Sequence, residues 1–271
     1  MKRCAMTTFQ IRAQKGFTLI EAVMVIAITG IIASMVAVFI ASPVKGYFDS
    51  ARRAELTDTA DTAIRRISRD VHLALPNSVR LATPQVVEFL QTRTGGRYRV
   101  DGGDPLNFAQ ANPADTTFDV LGPAMTMAAN DQIVIFNLGI PGADVYAGDN
   151  RRAYNGAVGA VTNIATTAAA LPFPLNSPGR RFQVVDTPVT YICDIAAGTL
   201  TRFWGYNITA AQANPPVGGN SALLAKNVSA CNFTYASGVT ARSGLISIQL
   251  AITQDNETVS LYHAVHVSNA P

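Results

Sequence analysis

Residues 15–41 read KGFTLIEAVMVIAITGIIASMVAVFIA, and this stretch decides the architecture of the chain. From Phe17 to Ala41 a single charge, Glu21, interrupts an apolar run. As a helix the run would span roughly 38 Å at about 1.5 Å per residue, which is enough to cross the ~30 Å hydrocarbon core of a bilayer with some tilt. The stretch therefore predicts a membrane-spanning helix over residues 17–41.

The segment before this run is basic. Residues 1–16 carry Lys2, Arg3, Arg12 and Lys15 and no acid, which leaves 17 basic and 18 acidic residues, a net charge of −1, in the rest of a chain whose formal net charge is +3. A basic segment ahead of a membrane span stays in the cytoplasm, so the part after the span should face the periplasm. Because the basic balance comes from these first residues, no nucleic-acid partner is expected.

Two other interpretations of the N-terminus compete with this one. A secretory signal peptide would have a shorter apolar core followed by a small-residue cleavage site, whereas the only candidate after this run is the weak Ile40-Ala41-Ser42. A plain membrane anchor explains the hydrophobicity, but it gives no reason to keep a carboxylate at position 21. An acid inside a membrane helix costs a few kcal/mol and indicates a function.

A cut before Phe17 would give Glu21 a partner. The new α-amine would lie one helical turn from the Glu21 carboxylate, and with an ordinary pKa of about 7.7–8.0 it would be largely cationic at neutral pH. The amine of the same chain or of a neighbouring chain could then neutralise the acid. Glu21 also lies in the first turn, where the helix dipole favours negative charge.

The segment Lys15-Gly16-Phe17-Thr18-Leu19-Ile20-Glu21 resembles the prepilin cleavage and methylation motif of type IV pilins and type II secretion pseudopilins. The resemblance implies cleavage between Gly16 and Phe17 by a prepilin peptidase and N-methylation of Phe17, which keeps the charge of the amine. It also implies assembly with other major and minor pilins through Glu21, driven by an inner-membrane platform and a motor ATPase. In this family the tip-most subunits can lack the glutamate, so a chain that keeps it is expected beneath another subunit.

The helix should continue beyond the membrane span in a different form. Ser42-Pro43-Val44-Lys45-Gly46 predicts a kink or a melted stretch. Over residues 42–76 the pattern then becomes amphipathic, and Pro76 is expected to end the helix. The predicted buried positions recur at spacings of three and four: Leu56, Ala60, Ala63, Ile64, Ile67, Val71 and Ala74.

Residues 77–271 predict a β-rich periplasmic domain, so the fold class is α+β, with a long N-terminal helix packed on an antiparallel sheet domain with long loops. Hairpin turns are expected at 194–198 and 254–257, and the Gly-, Pro-, Ala- and Asn-rich stretches 101–131 and 139–180 predict loops or an inserted subdomain. The candidate strands are 85–91, 132–138, 182–193, 199–206, 245–253 and 258–267.

The three cysteines separate into Cys4, in the basic leader, and the pair Cys193 and Cys231. A pair in a non-cytosolic domain predicts one disulfide, the alternative being two buried free thiols. His263 and His266 are three apart on a predicted strand and would point to opposite faces, so no metal site is expected there. No catalytic or cofactor motif occurs, so an enzyme is not expected, and no cofactor is assigned.

Three later segments are similar to the PilW and general-secretion J class of large minor pilins, in particular to those of the mannose-sensitive haemagglutinin (MSHA) pilus. They are residues 60–80, 190–206 and 261–271. Three function hypotheses follow: a minor pilin in the initiation, assembly or tip of an adhesive MSHA-type pilus, a type II secretion pseudopilin, or a membrane-anchored periplasmic protein of another class.

Overall fold

A computed structural model describes residues 16–109, 114–169, 171–237 and 243–271. The chain divides into two compact units after Arg52. One long helix is followed by fourteen strands, and every strand pair among the described residues is antiparallel. The predicted α+β architecture is therefore confirmed.

Helix α1 runs over Leu19–His72, a length of 54 residues. It continues without interruption through Pro43 and Gly46, so the melted stretch predicted there is wrong. Proline lacks an N–H and its ring crowds the carbonyl four residues earlier, but the hydrogen bonds on either side can hold the helix through that position. At its other end α1 stops at His72, before the predicted end at Pro76.

The strands are more numerous than the sequence predicts, and four of the six predicted ones are longer than expected. All six predicted strand segments contain a strand, although 132–138 holds only Gln132–Val134. The strands are β1 Arg80–Thr83, β2 Val86–Tyr98, β3 Thr117–Leu121, β4 Met125–Met127, β5 Gln132–Val134, β6 Arg151–Ala153, β7 Gly159–Val161, β8 Asn163–Ala165, β9 Arg181–Asp194, β10 Thr199–Trp204, β11 Asn220–Lys226, β12 Val228–Ala236, β13 Ser243–Gln254 and β14 Glu257–Ser268.

Three sheets result from these pairings. The largest has the path β11-β10-β9-β2-β3-β8, with β1 on β2 and with β5 between β9 and β6. The order β12-β13-β14 makes a second sheet, and β4 with β7 a small third one. Both predicted hairpins are confirmed: β9 and β10 pair from Asp194↔Thr199, and β13 and β14 pair from Gln254↔Glu257.

The main hydrophobic core lies between the C-terminal part of α1 and the two larger sheets. Because Val87, Tyr191 and Leu200 come from the large sheet and Phe233 and Ile248 from the three-stranded one, the helix closes a core that both sheets share. All seven positions predicted on the buried face of the helix are buried: Leu56, Ala60, Ala63, Ile64, Ile67, Val71 and Ala74. The amphipathic interpretation of this half of α1 is confirmed.

The region between β2 and β9 has a core of its own. Tyr98, Phe118 and Phe182 are each 1% exposed, and the ring centroids of Phe118 and Phe182 lie 5.2 Å apart. Short strands β3, β4, β5, β7 and β8 contribute residues to the core around this aromatic cluster. Of the two interpretations left open for 101–131 and 139–180, the inserted subdomain is therefore the better description.

A buried ionic contact links α1 to the large sheet. The Asp70 carboxylate is 5% exposed and accepts hydrogen bonds from the Tyr191 hydroxyl at 2.7 Å and from Arg202 Nε at 2.6 Å. The Arg202 guanidinium also lies over the Trp204 ring, 4.6 Å from its centroid. Burial raises the pKa of Tyr191, and its hydrogen bond to Asp70 raises it further. The contact fixes which turn of the helix faces β9 and β10.

A second buried carboxylate lies on β2. Glu88 is 1% exposed and accepts from Arg80 Nη2 at 2.7 Å, while the Arg80 guanidinium lies 3.5 Å from the centroid of the Tyr146 ring. Burial raises the pKa of Glu88 above its ordinary value of 4.5, and the positive charge of Arg80 opposes that shift. Arg80 also donates to the carbonyl oxygens of Thr209 and Ala210, so this cluster holds the 205–219 connection against the sheet.

Candidate functional site: the start of helix α1

Gly16, Phe17 and Thr18 immediately precede α1, and Thr18 caps it. The Thr18 carbonyl oxygen accepts the first helical hydrogen bond, from the Ala22 N–H at 3.1 Å. Its hydroxyl oxygen accepts from the Glu21 N–H at 3.3 Å. Thr18 therefore satisfies a backbone donor that the helix would otherwise leave without a partner. The helix begins two residues after the predicted cleavage position.

Glu21 occupies the third position of the helix. Thr18-x-x-Glu21 is the sequence pattern of a capping box, in which the threonine and the glutamate each cap a backbone N–H of the other. Sequence reasoning missed the part played by Thr18, although this pattern would have revealed it. Among the described residues, no hydrogen bond or ion pair engages the exposed Glu21 carboxylate. The acid is favoured by the helix dipole, but its counter-charge must come from elsewhere.

Gly16 has no structural reason to be glycine. A Cβ atom built on Gly16 would meet no heavy atom within 4 Å, and the residue does not adopt the positive φ that favours glycine. Phe17, next to it, is 73% exposed. The conformation of the chain would therefore accept a side chain at position 16, and any requirement for glycine there comes from another molecule.

The apolar side chains of the first half of α1 are uncovered. The exposed fractions of the large apolar residues between Phe17 and Phe48 range from 46% for Val44 to 85% for Phe39. In the part of the chain that the structure describes, α1 is the only helix long and apolar enough to cross a membrane. Such a surface is stable in lipid or against other apolar helices, but not in water.

Two hydroxyl side chains inside this apolar segment are satisfied by the helix itself. Thr29 donates to the carbonyl oxygen of Val25 at 2.6 Å, and Ser34 donates to that of Ile31 at 2.8 Å. Because each hydroxyl proton already has an acceptor, the cost of placing it in hydrocarbon is reduced. Glu21 is then the one side chain of residues 17–41 that carries a charge.

In the C-terminal unit the predicted disulfide is present. Cys193 on β9 and Cys231 on β12 are bonded across a sequence separation of 38 residues, with their Cα atoms 6.2 Å apart. The bond joins the large sheet to the three-stranded sheet, and both cysteines lie in the main core. The alternative of two free thiols is wrong.

Metal binding finds no support in the described ranges, where no three His, Cys, Asp or Glu side chains are grouped to hold an ion. His263 and His266 are both exposed on β14, opposite Ile248 and Leu245 of β13. They belong to opposite faces of the strand because their positions differ by three, and successive side chains of a strand alternate between its two faces.

Comparison with known proteins gives one match. The family model described as the prokaryotic N-terminal methylation motif matches residues 11–37. No curated protein and no solved structure matches the chain. The motif, followed by the apolar helix, supports a type IV pilin-like protein. Such a motif implies processing by a prepilin peptidase and assembly with other pilins.

Proposed function

We propose that this chain is a minor pilin of a type IV pilus of the MSHA kind, a structural subunit without catalytic activity. In this proposal the leader is cut between Gly16 and Phe17, and the new amine of Phe17 is methylated. The subunit is held in the bacterial inner membrane by residues 17–41 with its β domain in the periplasm, and it then enters the initiation or tip complex of the filament.

The uncovered apolar half of α1 is the observation that carries this proposal. In a single-pass anchor, an apolar surface of this kind contacts only lipid. In a pilin the same surface first contacts lipid and then packs against the helices of neighbouring subunits. The small residues Gly30, Ala33, Ser34 and Ala37 suit the second use because they let helices approach closely, and a Cβ on Gly30 would meet nothing within 4 Å in the isolated chain.

Gly16 and Glu21 support the same conclusion. The fold of the described residues requires neither a glycine at position 16 nor the carboxylate of Glu21, which has no partner among them. A peptidase that cuts after glycine would account for the first. A cationic Phe17 amine, on this chain or on its neighbour, would account for the second. Because Glu21 is retained, we infer that another subunit lies above this one.

The finer assignment, to the MSHA pilus, rests on resemblance. Residues 190–206 and 261–271 are similar to the corresponding region of MshO, a minor pilin-like biogenesis protein of that pilus. In this structure they form the β9–β10 hairpin and most of β14 with the C-terminus. The partners would be the major and minor pilins of the same filament, with the inner-membrane platform and the motor ATPase acting through them.

The first test is the mass of the processed chain purified from membranes and filaments of its native host. We expect it to begin at N-methylated Phe17. A chain that starts at Met1, or one cut near Ser42, would contradict the proposal. Gly16→Val should prevent cleavage. The matched control Gly46→Val should be cleaved normally. The two glycines are comparable because a Cβ at either one meets no atom within 4 Å, so neither change should disturb the fold.

The second test is assembly. Glu21→Ala should reduce incorporation into filaments by about tenfold or more, because losing one partner of a charge pair shielded from water costs about 2–5 kcal/mol. Asp58→Ala, an exposed acid elsewhere on α1, should incorporate normally. Equal incorporation of both variants would contradict the role of Glu21. Normal piliation with lost protein secretion would instead identify a type II secretion pseudopilin.

A further inference from the structure

The free edge of the large sheet borders a groove. Strand β11 is the terminal strand of that sheet, and in the described part of the chain it pairs only with β10. One row of its backbone N–H and C=O groups is therefore left without a strand partner. Such an edge is a template for another strand unless the protein protects it.

A cavity of about 370 Å³ lies along this edge. Four consecutive residues of β11, Leu223 to Lys226, line it. Successive side chains of a strand point to opposite faces, so a cavity confined to one face would be lined by alternate residues. Ala225 and Lys226 pair regularly with β10 and so lie on opposite faces of β11, yet both line the cavity, which therefore reaches the edge of the strand.

The opposite wall comes from helix α1. Glu55, Leu56 and Thr59 line the cavity from the helix, while Ile252 and Gln254 close it from β13. An edge strand facing a helix across a groove is the arrangement in which PDZ and PTB domains accept a peptide as an additional strand.

A β-bulge increases the apolar lining. Ala225 is opposite Leu200 and Leu223 is opposite Thr201, so Leu224 has no counterpart on β10. Bulges redirect side chains at sheet edges, and both Leu223 and Leu224 contribute to the groove. Leu223 is 47% exposed, so a bound segment could cover its side chain.

Two charged residues indicate which charges a segment bound in the groove should carry. Lys226 and Glu55 both line the cavity and are exposed, and no ion pair of the described residues uses either of them. A bound segment with an acid facing Lys226 and a base facing Glu55 would match this polarity. We propose that the groove between β11 and α1 binds an extended strand of another polypeptide, apolar at alternate positions and carrying those two charges.

The probe is a display library of seven-residue peptides, the length of β11, with randomised apolar residues at alternate positions. The target is the full-length chain in detergent micelles. Selected peptides should slow hydrogen exchange of the β11 amides. Leu223→Asp should weaken their binding by about tenfold or more, as expected for an apolar anchor in a groove. Leu171→Asp, the same change at an exposed leucine outside the groove, should leave binding unchanged.

Main-chain pairing and charge can be tested separately. The N–H groups of successive residues in a strand point to opposite edges, so N-methylation of every second residue should abolish binding for one of the two alternating sets and not for the other. Lys226→Glu should weaken peptides that carry the acid, and exchanging that acid for lysine should restore binding.

Three results would overturn the proposal. The library could yield no peptide that protects β11, or both N-methylated forms could bind equally well, which would indicate side-chain contacts alone. Alternatively, the full-length chain could self-associate in a manner that Leu223→Asp abolishes. The occupant of the groove would then be a second copy of this chain rather than a different polypeptide.

Discussion

Replacing Asp70 with alanine should be one of the most destabilising single changes in the C-terminal unit. The change removes the acceptor of the Arg202 Nε and Tyr191 hydroxyl hydrogen bonds, and it leaves a guanidinium buried without its counter-charge, since the Arg202 side chain is only 9% exposed. Hydrogen bonds to a charged group contribute about 1.5–3 kcal/mol each. Removing one partner of a buried ion pair costs about 3–5 kcal/mol. We therefore expect the free energy of unfolding to fall by about 3–5 kcal/mol.

The measurement is urea unfolding of the full-length chain in detergent, followed by the fluorescence of Trp204. This residue is the single tryptophan of the chain and lies beside Arg202. The matched control is Asp61→Ala, which removes an ion pair with Arg65 on the same helix. The side chains of that pair are 44% and 75% exposed. An exposed pair of this kind contributes about 0.3–0.5 kcal/mol, so the control should unfold almost as the wild type does.

A double variant separates the two contributions to this loss of stability, which are the lost hydrogen bonds and the buried guanidinium left without a counter-charge. Asp70→Ala with Arg202→Leu removes the acid and the more buried of its two arginine partners, since Arg66, 3.4 Å from Asp70, has a side chain that is 43% exposed. The double variant should be at least about 1 kcal/mol more stable than Asp70→Ala alone, because the Arg202 guanidinium no longer lies buried without its acid. If Asp70→Ala destabilises the chain no more than Asp61→Ala does, or if the second substitution adds to the loss, the contact is not the buried charge pair that we describe.

Three further predictions concern the same domain. Replacing Cys193 and Cys231 with serine should lower the free energy of unfolding by about 3–4 kcal/mol, as expected for a loop of this length, and reducing agent should then have no further effect in urea titrations. Glu88 has its pKa raised in the folded state, which therefore holds more protons than the unfolded chain. Stability should fall as the pH rises from below 4.5 through the folded-state pKa, and Glu88→Gln should remove that part of the pH dependence in unfolding series. Ala60→Leu, at a position that is 0% exposed, should cost about 1–3 kcal/mol through overpacking, measured as a lower urea midpoint.

The helix and its buried face were predictable because their signals are local and periodic. Leu56, Ala60, Ala63 and Ile67 recur at helical spacing, and every one is buried against the sheets. The two hairpins were predictable for a similar reason, since short turn segments separate strongly apolar strands. Strand β12 was missed, although Cys231, Phe233 and Tyr235 alternate with polar residues in the pattern of a half-buried strand.

The inserted subdomain was one of two interpretations of its sequence, but most of its strands were not predictable. Strands β4, β6, β7 and β8 have three residues each, which is too short to show the alternation of apolar and polar residues that marks a strand. They depend instead on an aromatic cluster assembled from distant parts of the chain, with Tyr98 on β2, Phe118 on β3 and Phe182 on β9. Contacts of that kind leave no local sequence pattern. The order of strands in the large sheet is unpredictable for the same reason.

The candidate site shows a different relation between sequence and structure. Thr18 is explained by the structure of this chain, because its hydroxyl caps the helix. The structure does not explain Gly16, since a side chain would fit at that position. It does not explain Glu21 either, since the Glu21 carboxylate contacts no cation among the described residues. An acid that enters a membrane without a partner costs free energy that the folding of its own chain does not return. We therefore attribute both residues to the function proposed above, in which a peptidase cuts the chain after Gly16 and a neighbouring subunit supplies a positive charge to Glu21.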